Sequence, residues 1–277
     1  MESALYVVAT PIGNLGDMVP RAVQVLQSVD LIAAEDSRHS GVLLRYFDID
    51  TPVFPYHDHS DARAIARIAD CINNGGSVAL ISDAGTPLVS DPGYRLLRYA
   101  HAAGWRVVPV PGASALLAAL SVAGLATDRF RFEGFLPAKT SARCRRLEAL
   151  AAEPVTLIFY EAPHRLHECL QDMQQSFGDD RLVVLARELT KVFETVIRAP
   201  VAELLAIVEA DSNQSRGEIV LLVEGARPVS AALDSDAERL LQLLAAELPP
   251  RKAAAIAAEY TGLRKKDLYN WIISQSA

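Results

Sequence analysis

Sixteen residues, VALISDAGTPLVSDPG from Val78 to Gly93, restrict the folds open to this chain more than any other stretch. Val78 to Ile81 are apolar and tightly bounded, which predicts a buried strand rather than a helix. Ser82 to Pro87 follow as a turn, with Gly85 where a backbone bends or admits a close neighbour. Ser90-Asp91-Pro92 reads as a capping residue with proline inside the first turn, opening a helix through YRLLRYAHAAG to Gly104. RVVPV, Arg106 to Val110, is the next strand. Strand, glycine turn, helix and strand make one βαβ unit. Ligands of open α/β sheets sit at the carboxyl ends of strands, where this loop lies.

The loop carries neither G-x-G-x-x-G nor G-x-x-x-x-G-K-[ST], which argues against nicotinamide and nucleotide-phosphate cradles. Asp83 can accept hydrogen bonds from ribose hydroxyls or an ammonium group, and Gly85 and Thr86 can present backbone groups to a small ligand. The plainer alternative is a tight turn in which Asp83 bonds its own backbone.

At 277 residues the chain has room for two domains, and 51% hydrophobic content gives each a core without disulfide staples. Its formal charge of −7 argues against a generally basic nucleic-acid coat but leaves room for a local basic patch. Cys71, Cys144 and Cys169 are far apart with no C-x-x-C, which points to a reducing compartment and no structural zinc. No secretory signal opens the chain, and the run Ala113 to Ala126 is shorter than the ~20 residues a membrane span needs. A cytoplasmic protein without membrane attachment is the expectation.

Leu5 to Ala9 reads as the first strand, ending in the turn Thr10-Pro11-Ile12-Gly13-Asn14. Helix Arg21 to Val29 and strand Leu31 to Ala34 follow. EDSRHS then places Glu35, Asp36, Arg38 and His39 at a strand's carboxyl end, a costly cluster to bury without a use. Alternatively Asp36 or Ser37 simply caps the helix GVLLRYF. With helix Asp61 to Asn74 and the central βαβ unit, residues 1–112 form a parallel sheet covered by helices.

PVPGAS, Pro109 to Ser114, is the expected hinge, with Ser114 and Ala115 opening an apolar helix whose amides could face a ligand. Beyond it FRFEGF, VTLIFY, LVVLAR and GEIVLLVEG read as strands, and LVVLARELTKVFETVIRA as a hairpin turning at Glu188 to Lys191. A mixed-sheet domain over 113–227 follows from that pairing. Between Gly134 and Leu147 the basic residues Lys139, Arg143, Arg145 and Arg146 occur with no acid. Either this is a solvated loop leading into a helix, or it contacts phosphate. Residues 234–277 hold three short helical patterns, Ala237 to Glu247, Arg251 to Tyr260 and Leu263 to Ile273. From Pro250 onward five basic residues (Arg251, Lys252, Arg264, Lys265, Lys266) face two acids, in a helix-turn-helix layout that serves nucleic acid or mere docking.

Seven ordered stretches resemble a known family: YVVATPIGNLGD, AAEDSRHSG, ISDAGTPLVSDPG, PVPGASALLAALSVAGL, FEGFLPAK, LIFYEAPHRL and VVLARELTKVFET. They are similar to the tetrapyrrole-methylase superfamily of S-adenosylmethionine enzymes, and more narrowly to its ribosomal branch. Members of that branch methylate a ribose 2′-hydroxyl of a decoding-centre cytidine in small-subunit ribosomal RNA. The resemblance implies two α/β domains with S-adenosylmethionine in the trough between them, a homodimer, a small helical carboxyl-terminal extension and no metal. It places the cofactor against Pro11, the loop from Asp83 through Gly85 and Thr86 to Val89, Ser114 with Ala115, Phe159 with Tyr160, and Gly217 with Glu218. Tetrapyrrole-modifying relatives show Gly-Asp-Pro where this chain has Gly85-Thr86-Pro87, so the role of that carboxylate does not carry over. Whether Asp83 takes its place is left open by the sequence.

Methyl transfer is an in-line displacement, so catalysis is largely alignment of an acceptor oxygen with a sulfonium methyl. Aromatic faces and backbone oxygens tolerate the cation, whereas a lysine beside the sulfur would repel it. A ribose hydroxyl is a poor nucleophile until its proton leaves, so a base helps. Glu35 and Asp36 are the candidates, with Glu161 in reserve, and Arg38, His39 and Lys191 would contact phosphate or base. Two other readings compete. One is methylation of a tetrapyrrole or another small metabolite, and the other is a nonenzymatic regulator that binds DNA through its tail.

Overall fold

The computed structural model of the chain describes residues 1–57, 62–226, 235–263 and 265–275. Residues Met1–Gly225 form one compact unit and Ala226–Ala277 a second. The first unit holds two five-stranded sheets, which gives it the α/β class expected from the sequence. Among the described residues no helix is long and apolar enough to cross a membrane.

The first sheet contains β1 (Leu5–Val8), β2 (Leu31–Ala34), β3 (Val53–Pro55), β4 (Val78–Ile81) and β5 (Val107–Val110), in the order β3-β2-β4-β1-β5, all parallel. Both β2 and β4 are buried along their whole length, which is why they read as unbroken apolar runs without alternation. Helices α1 (Pro20–Ser28) and α2 (Ser37–Tyr46) cover one face, burying Ala22, Val25, Leu26 and Leu44 against Val8, Ile32 and Ile81. The other face takes α3 (Ala62–Asn73) and α4 (Tyr94–Ala102), with Ile68, Ile72 and Leu96 on Leu5, Val78 and Leu80. The three-residue β3 is too short to have left a pattern, and Pro55 suits its edge position. One predicted boundary shifts. The N-cap of α4 is Gly93 and not Ser90, because Leu88 (φ 74°) and Ser90 (φ 69°) adopt left-handed conformations that prolong the loop past Asp91.

From β5 the chain enters α5 (Ala115–Val122) and then the second sheet. Its strands β6 (Phe130–Phe135), β7 (Thr156–Glu161), β8 (Leu182–Arg187), β9 (Thr195–Pro200) and β10 (Ile219–Val223) run in the order β6-β7-β10-β8-β9. Only the β6–β7 pair is parallel, so the sheet is mixed. Helices α6 (Thr140–Leu150), α7 (Leu166–Phe177) and α8 (Val201–Ala210) cover one face. Against the other lies α5 alone, with Ile12 from the loop after β1 joining the same apolar cluster. One helix covers less of that face than three cover the opposite one, and a crevice beside α5 between the sheets is the result.

Residues Arg143 and Phe159 depart from their expected positions. Arg143 does not belong to a phosphate-contacting surface: its side chain is 0% exposed, and its Nε donates to Asp172 Oδ2 at 2.5 Å. Phe159 alternates with Tyr160 along β7, and its ring is packed with α7 and α8 in the core on the far face from the crevice.

The second unit is a three-helix piece, α9 (Ser235–Glu247), α10 (Pro250–Thr261) and α11 (Lys265–Gln275). Its own small core is Leu241, Ala253, Ala254, Ala257, Leu268 and Ile272. Gly262 (φ 72°) closes α10 in the left-handed conformation typical of a helix C-terminus. Arg251, Lys252, Lys265 and Lys266 are exposed, while Asp61 and Arg264 lie outside the described residues.

Candidate functional site: two adjoining cavities

The loops at the carboxyl ends of β1 and β4 face the uncovered part of the second sheet across a cavity of ≈ 380 Å³. Ile12, Ala84, Gly85, Thr86 and Val89 line one side. Ser114 and Ala115 close it from the start of α5, and Tyr160, Ala186 and Val220 supply the opposite wall. The β4 loop is stapled in place: Gly85 exchanges backbone hydrogen bonds with Thr10 at 2.8 and 3.0 Å, and Thr86 Oγ1 donates to Ala113 O at 3.0 Å. Tyr160 Oη accepts from Leu116 N–H at 3.2 Å, tying β7 to α5. At Gly217 (φ 76°) any side chain would run into the Glu188 carboxylate, so glycine lets β10 begin beside the cavity.

A second cavity of ≈ 300 Å³ shares Ile12, Ala84 and Glu218 with the first. The polar residues Thr10, His39, Ser40, Ser82, Asp83 and Lys191 line the remainder together with Pro11, Gly13, Leu15, Val42 and Leu43. The residues expected around the cofactor therefore divide between two cavities. Gly85, Thr86, Val89, Ser114, Ala115, Tyr160, Gly217 and Glu218 line the first, whereas Pro11 and Asp83 line the second.

Among the described residues no lysine, arginine or histidine lines the first cavity. Its walls are largely apolar, with Phe135 and Tyr160 as aromatic faces, and Asp91, Glu161 and Glu218 add carboxylates, a setting that accepts an adenosine and its attached cation. Asp91 is the residue that sequence reasoning missed, because Ser-Asp-Pro looks like an ordinary cap. Burial pushes its carboxyl up; a hydrogen bond from Ser82 opposes this and the charges of Glu35 and Asp83 add to it, leaving a pKa of about 6. A carboxyl raised above its unfolded value of 3.8 favours the fold at low pH, and that contribution is lost as pH rises through about 6. A cation in the cavity has the opposite preference. S-adenosylmethionine is therefore expected to bind several-fold more tightly at pH 7 than at pH 5 by calorimetry. In Asp91→Asn that gain should flatten.

The three carboxylates expected to serve as bases have separate fates. Asp36 is the N-cap of α2: its Oδ1 accepts from Arg38 N–H at 2.8 Å, and its side chain pairs with Arg38 at 3.3 Å. Those bonds hold it below the usual carboxylate range, which makes it a poor proton acceptor. Glu161 is turned toward α7, pairs with Arg165 at 3.3 Å and has a side chain 0% exposed. It lines the first cavity, and its ion pair with Arg165 helps position the end of β7. Glu35 lines neither cavity, and its Oε2 accepts from the N–H of Asp83 at 3.3 Å.

Basic residues separate in the same way. Lys191 donates to Glu188 Oε1 at 2.8 Å and lies 3.3 Å from Glu218 Oε2, so it braces the mouth of the second cavity and is not a free phosphate contact. Burial pushes the Glu188 carboxyl up, but the hydrogen bonds from Lys191 and Glu218 N–H outweigh it and leave it lowered. Arg146 is engaged with Glu133. Lys139 and Arg145 are exposed and Arg38 is 92% exposed, so these retain access to a polyanion.

Comparison with known proteins agrees with this geometry. The profile of the tetrapyrrole (corrin/porphyrin) methylases matches residues 4–205. A ribosomal RNA small subunit methyltransferase I from Pseudomonas aeruginosa is 58% identical over 267 residues, covering 96% of this chain and 95% of that protein. The chain belongs to the ribosomal RNA small subunit methyltransferase I family. A member from Escherichia coli is 53% identical over 274 residues, 99% of this chain and 96% of its own length. The profile described as the RsmI C-terminal HTH domain matches residues 231–276. Among solved structures, a cobalt precorrin-4 methyltransferase superposes with a TM-score of 0.61 at 17% identity, covering 79% of this chain and 94% of that one. A uroporphyrin-III C-methyl transferase from Thermus thermophilus, complexed with S-adenosylhomocysteine, gives 0.56 at 17% identity, over 80% and 97% of the two chains. These last two share the fold. As a member of this family, the chain is a methyltransferase with S-adenosylmethionine as its cofactor.

Proposed function

We propose that this chain methylates the 2′-hydroxyl of a cytidine in small-subunit ribosomal RNA, with the assembled subunit as substrate. The observation that carries the reading is the pair of adjoining cavities: the larger is lined as a cofactor site, and the smaller shares a wall with it and sets His39, Ser40, Asp83 and Lys191 among apolar residues. At ≈ 300 Å³ the smaller chamber suits one nucleoside better than a four-ring macrocycle. The names of the relatives, each a ribosomal RNA small subunit methyltransferase I, support the same choice.

S-adenosylmethionine supplies an electrophilic methyl group on a sulfonium. Among the described residues the first cavity has no basic side chain, and its apolar walls would hold the donor. Ile12, Ala84 and Glu218, common to both cavities, mark where donor and acceptor meet. Exposed Arg38, Lys139 and Arg145, together with Arg251, Lys252, Lys265 and Lys266 of the helical unit, give a net-acidic chain its contacts with phosphate. A homodimer is part of the proposal, since α5 leaves Leu117 and Val122 more than half exposed. Mass mapping of ribosomal RNA from cells lacking this chain should show one ribose methyl group missing from the small-subunit RNA and restored by the gene. An unchanged methylation map contradicts the proposal.

A further inference from the structure

We infer that the second cavity is the acceptor-nucleoside subsite and that Asp83 is the catalytic residue there, taking the proton of the attacking hydroxyl. This rests on the ribose-methylation reading and deepens it.

Asp83 belongs to the second cavity, one residue from the wall it shares with the first, since Ala84 is part of both. Its carboxylate is held at one end: Oδ1 accepts from Asp36 N–H at 3.0 Å, while its own N–H donates to Glu35. Among the described residues Oδ2 has no hydrogen-bond partner, so one oxygen is fixed and the other is left for a ligand. A second observation in the same chamber points to an absent polar group. Ser40, 3% exposed and lining the cavity, has an Oγ with no hydrogen-bond partner among the described residues. Native interiors rarely leave such a hydroxyl unsatisfied.

The three other acids near the β2 and β4 ends are excluded by geometry, Glu35 because it lines neither cavity. Asp36 is occupied as a helix cap, and Asp91 lines the cofactor cavity. Asp83 alone among them lines the acceptor chamber. In the step itself the ribose oxygen forms a bond to the methyl carbon while the carbon–sulfur bond breaks and its electron pair returns to sulfur. The hydroxyl proton passes to Asp83 Oδ2 and from there to water. Charge balances: a sulfonium and a carboxylate become a thioether and a carboxylic acid. Around Asp83 the ionisable groups are Glu35 and Asp36 after β2, Asp91 after β4, His39 on α2, Lys191 in the β8–β9 turn and Glu218 before β10.

The test compares wild type, Asp83→Asn and Asp83→Glu on isolated small ribosomal subunits, with S-adenosylmethionine affinity measured separately by calorimetry. Removing a general base should lower kcat of Asp83→Asn by about 10²–10⁴-fold. Affinities for cofactor and subunit should stay within about threefold, with partial recovery in Asp83→Glu. Turnover of Asp83→Asn within about fivefold of wild type overturns the assignment, and so does a fall in cofactor affinity that accounts for the lost rate. If wild type methylates a different acceptor, the ribosomal RNA reading fails by itself. The ratio of Asp83→Asn to wild-type turnover on that acceptor then decides the role of Asp83.

Discussion

Replacing Asp172 by alanine is expected to destabilise the chain by about 3–5 kcal/mol, which places it among the most damaging single changes available. Arg143 is enclosed between α6 and α7, and its charge is matched at 2.5 Å by Asp172 and at 3.4 Å by Glu168. Its remaining donors reach Ala138 O and Thr140 Oγ1, which fastens the first turn of α6 to the loop before it. With Asp172 gone, the guanidinium stays buried beside a single glutamate that is itself 65% exposed. A surface ion pair would be worth less than about 1 kcal/mol, so the measurement distinguishes the two cases. Denaturant unfolding should show the large loss, and thermal melting a fall on the order of 10 °C. The double change Arg143→Met with Asp172→Leu should recover most of it, because no charge is then left unmatched. A loss under about 1 kcal/mol for Asp172→Ala contradicts the buried pairing.

Filling the cofactor cavity from Ala115 should abolish S-adenosylmethionine binding without unfolding the chain. Ala115 is the first residue of α5 and is half-buried, with its methyl group on the cavity wall. Ala115 touches the apolar cluster under α5 on one side and the cavity on the other, so a phenyl ring there has the cavity to grow into and little overpacking strain is expected. The aromatic surface that the substitution adds takes room the adenosine needs. Calorimetry should show affinity for Ala115→Phe reduced by about 100-fold or more, equivalent to about 2.7 kcal/mol. The melting temperature should move little. Unaltered affinity would place the cofactor elsewhere.

Much of this arrangement is visible in the sequence because the decisive elements are local. Val78 to Ile81, the glycine turn after them and the helix beyond form a βαβ unit within about thirty residues, and short-range pattern is enough to find it. What eluded the sequence depends on partners distant along the chain. Arg143 looks like part of a basic surface because Glu168 and Asp172, 25 and 29 residues later, return over it only through the packing of α7. Phe159 and Tyr160 are adjacent in a strand buried on both sides, so hydrophobicity does not reveal which ring faces the cavity. Ser90-Asp91-Pro92 reads as a helix cap because the left-handed Leu88 and Ser90 leave no compositional trace. The division of Pro11 and Asp83 from the other expected cofactor residues arises between two loops and a second sheet, and no periodicity encodes it.

The most direct test of the account is the chemical position of the methyl group this chain delivers. Small ribosomal subunits incubated with the full chain and methyl-labelled S-adenosylmethionine should acquire label in their RNA. After alkaline hydrolysis that label should remain in a dinucleotide, since a methylated 2′-oxygen cannot attack the neighbouring phosphodiester. Label released wholly in mononucleotides, or no transfer to RNA from material that binds the cofactor, would contradict the account.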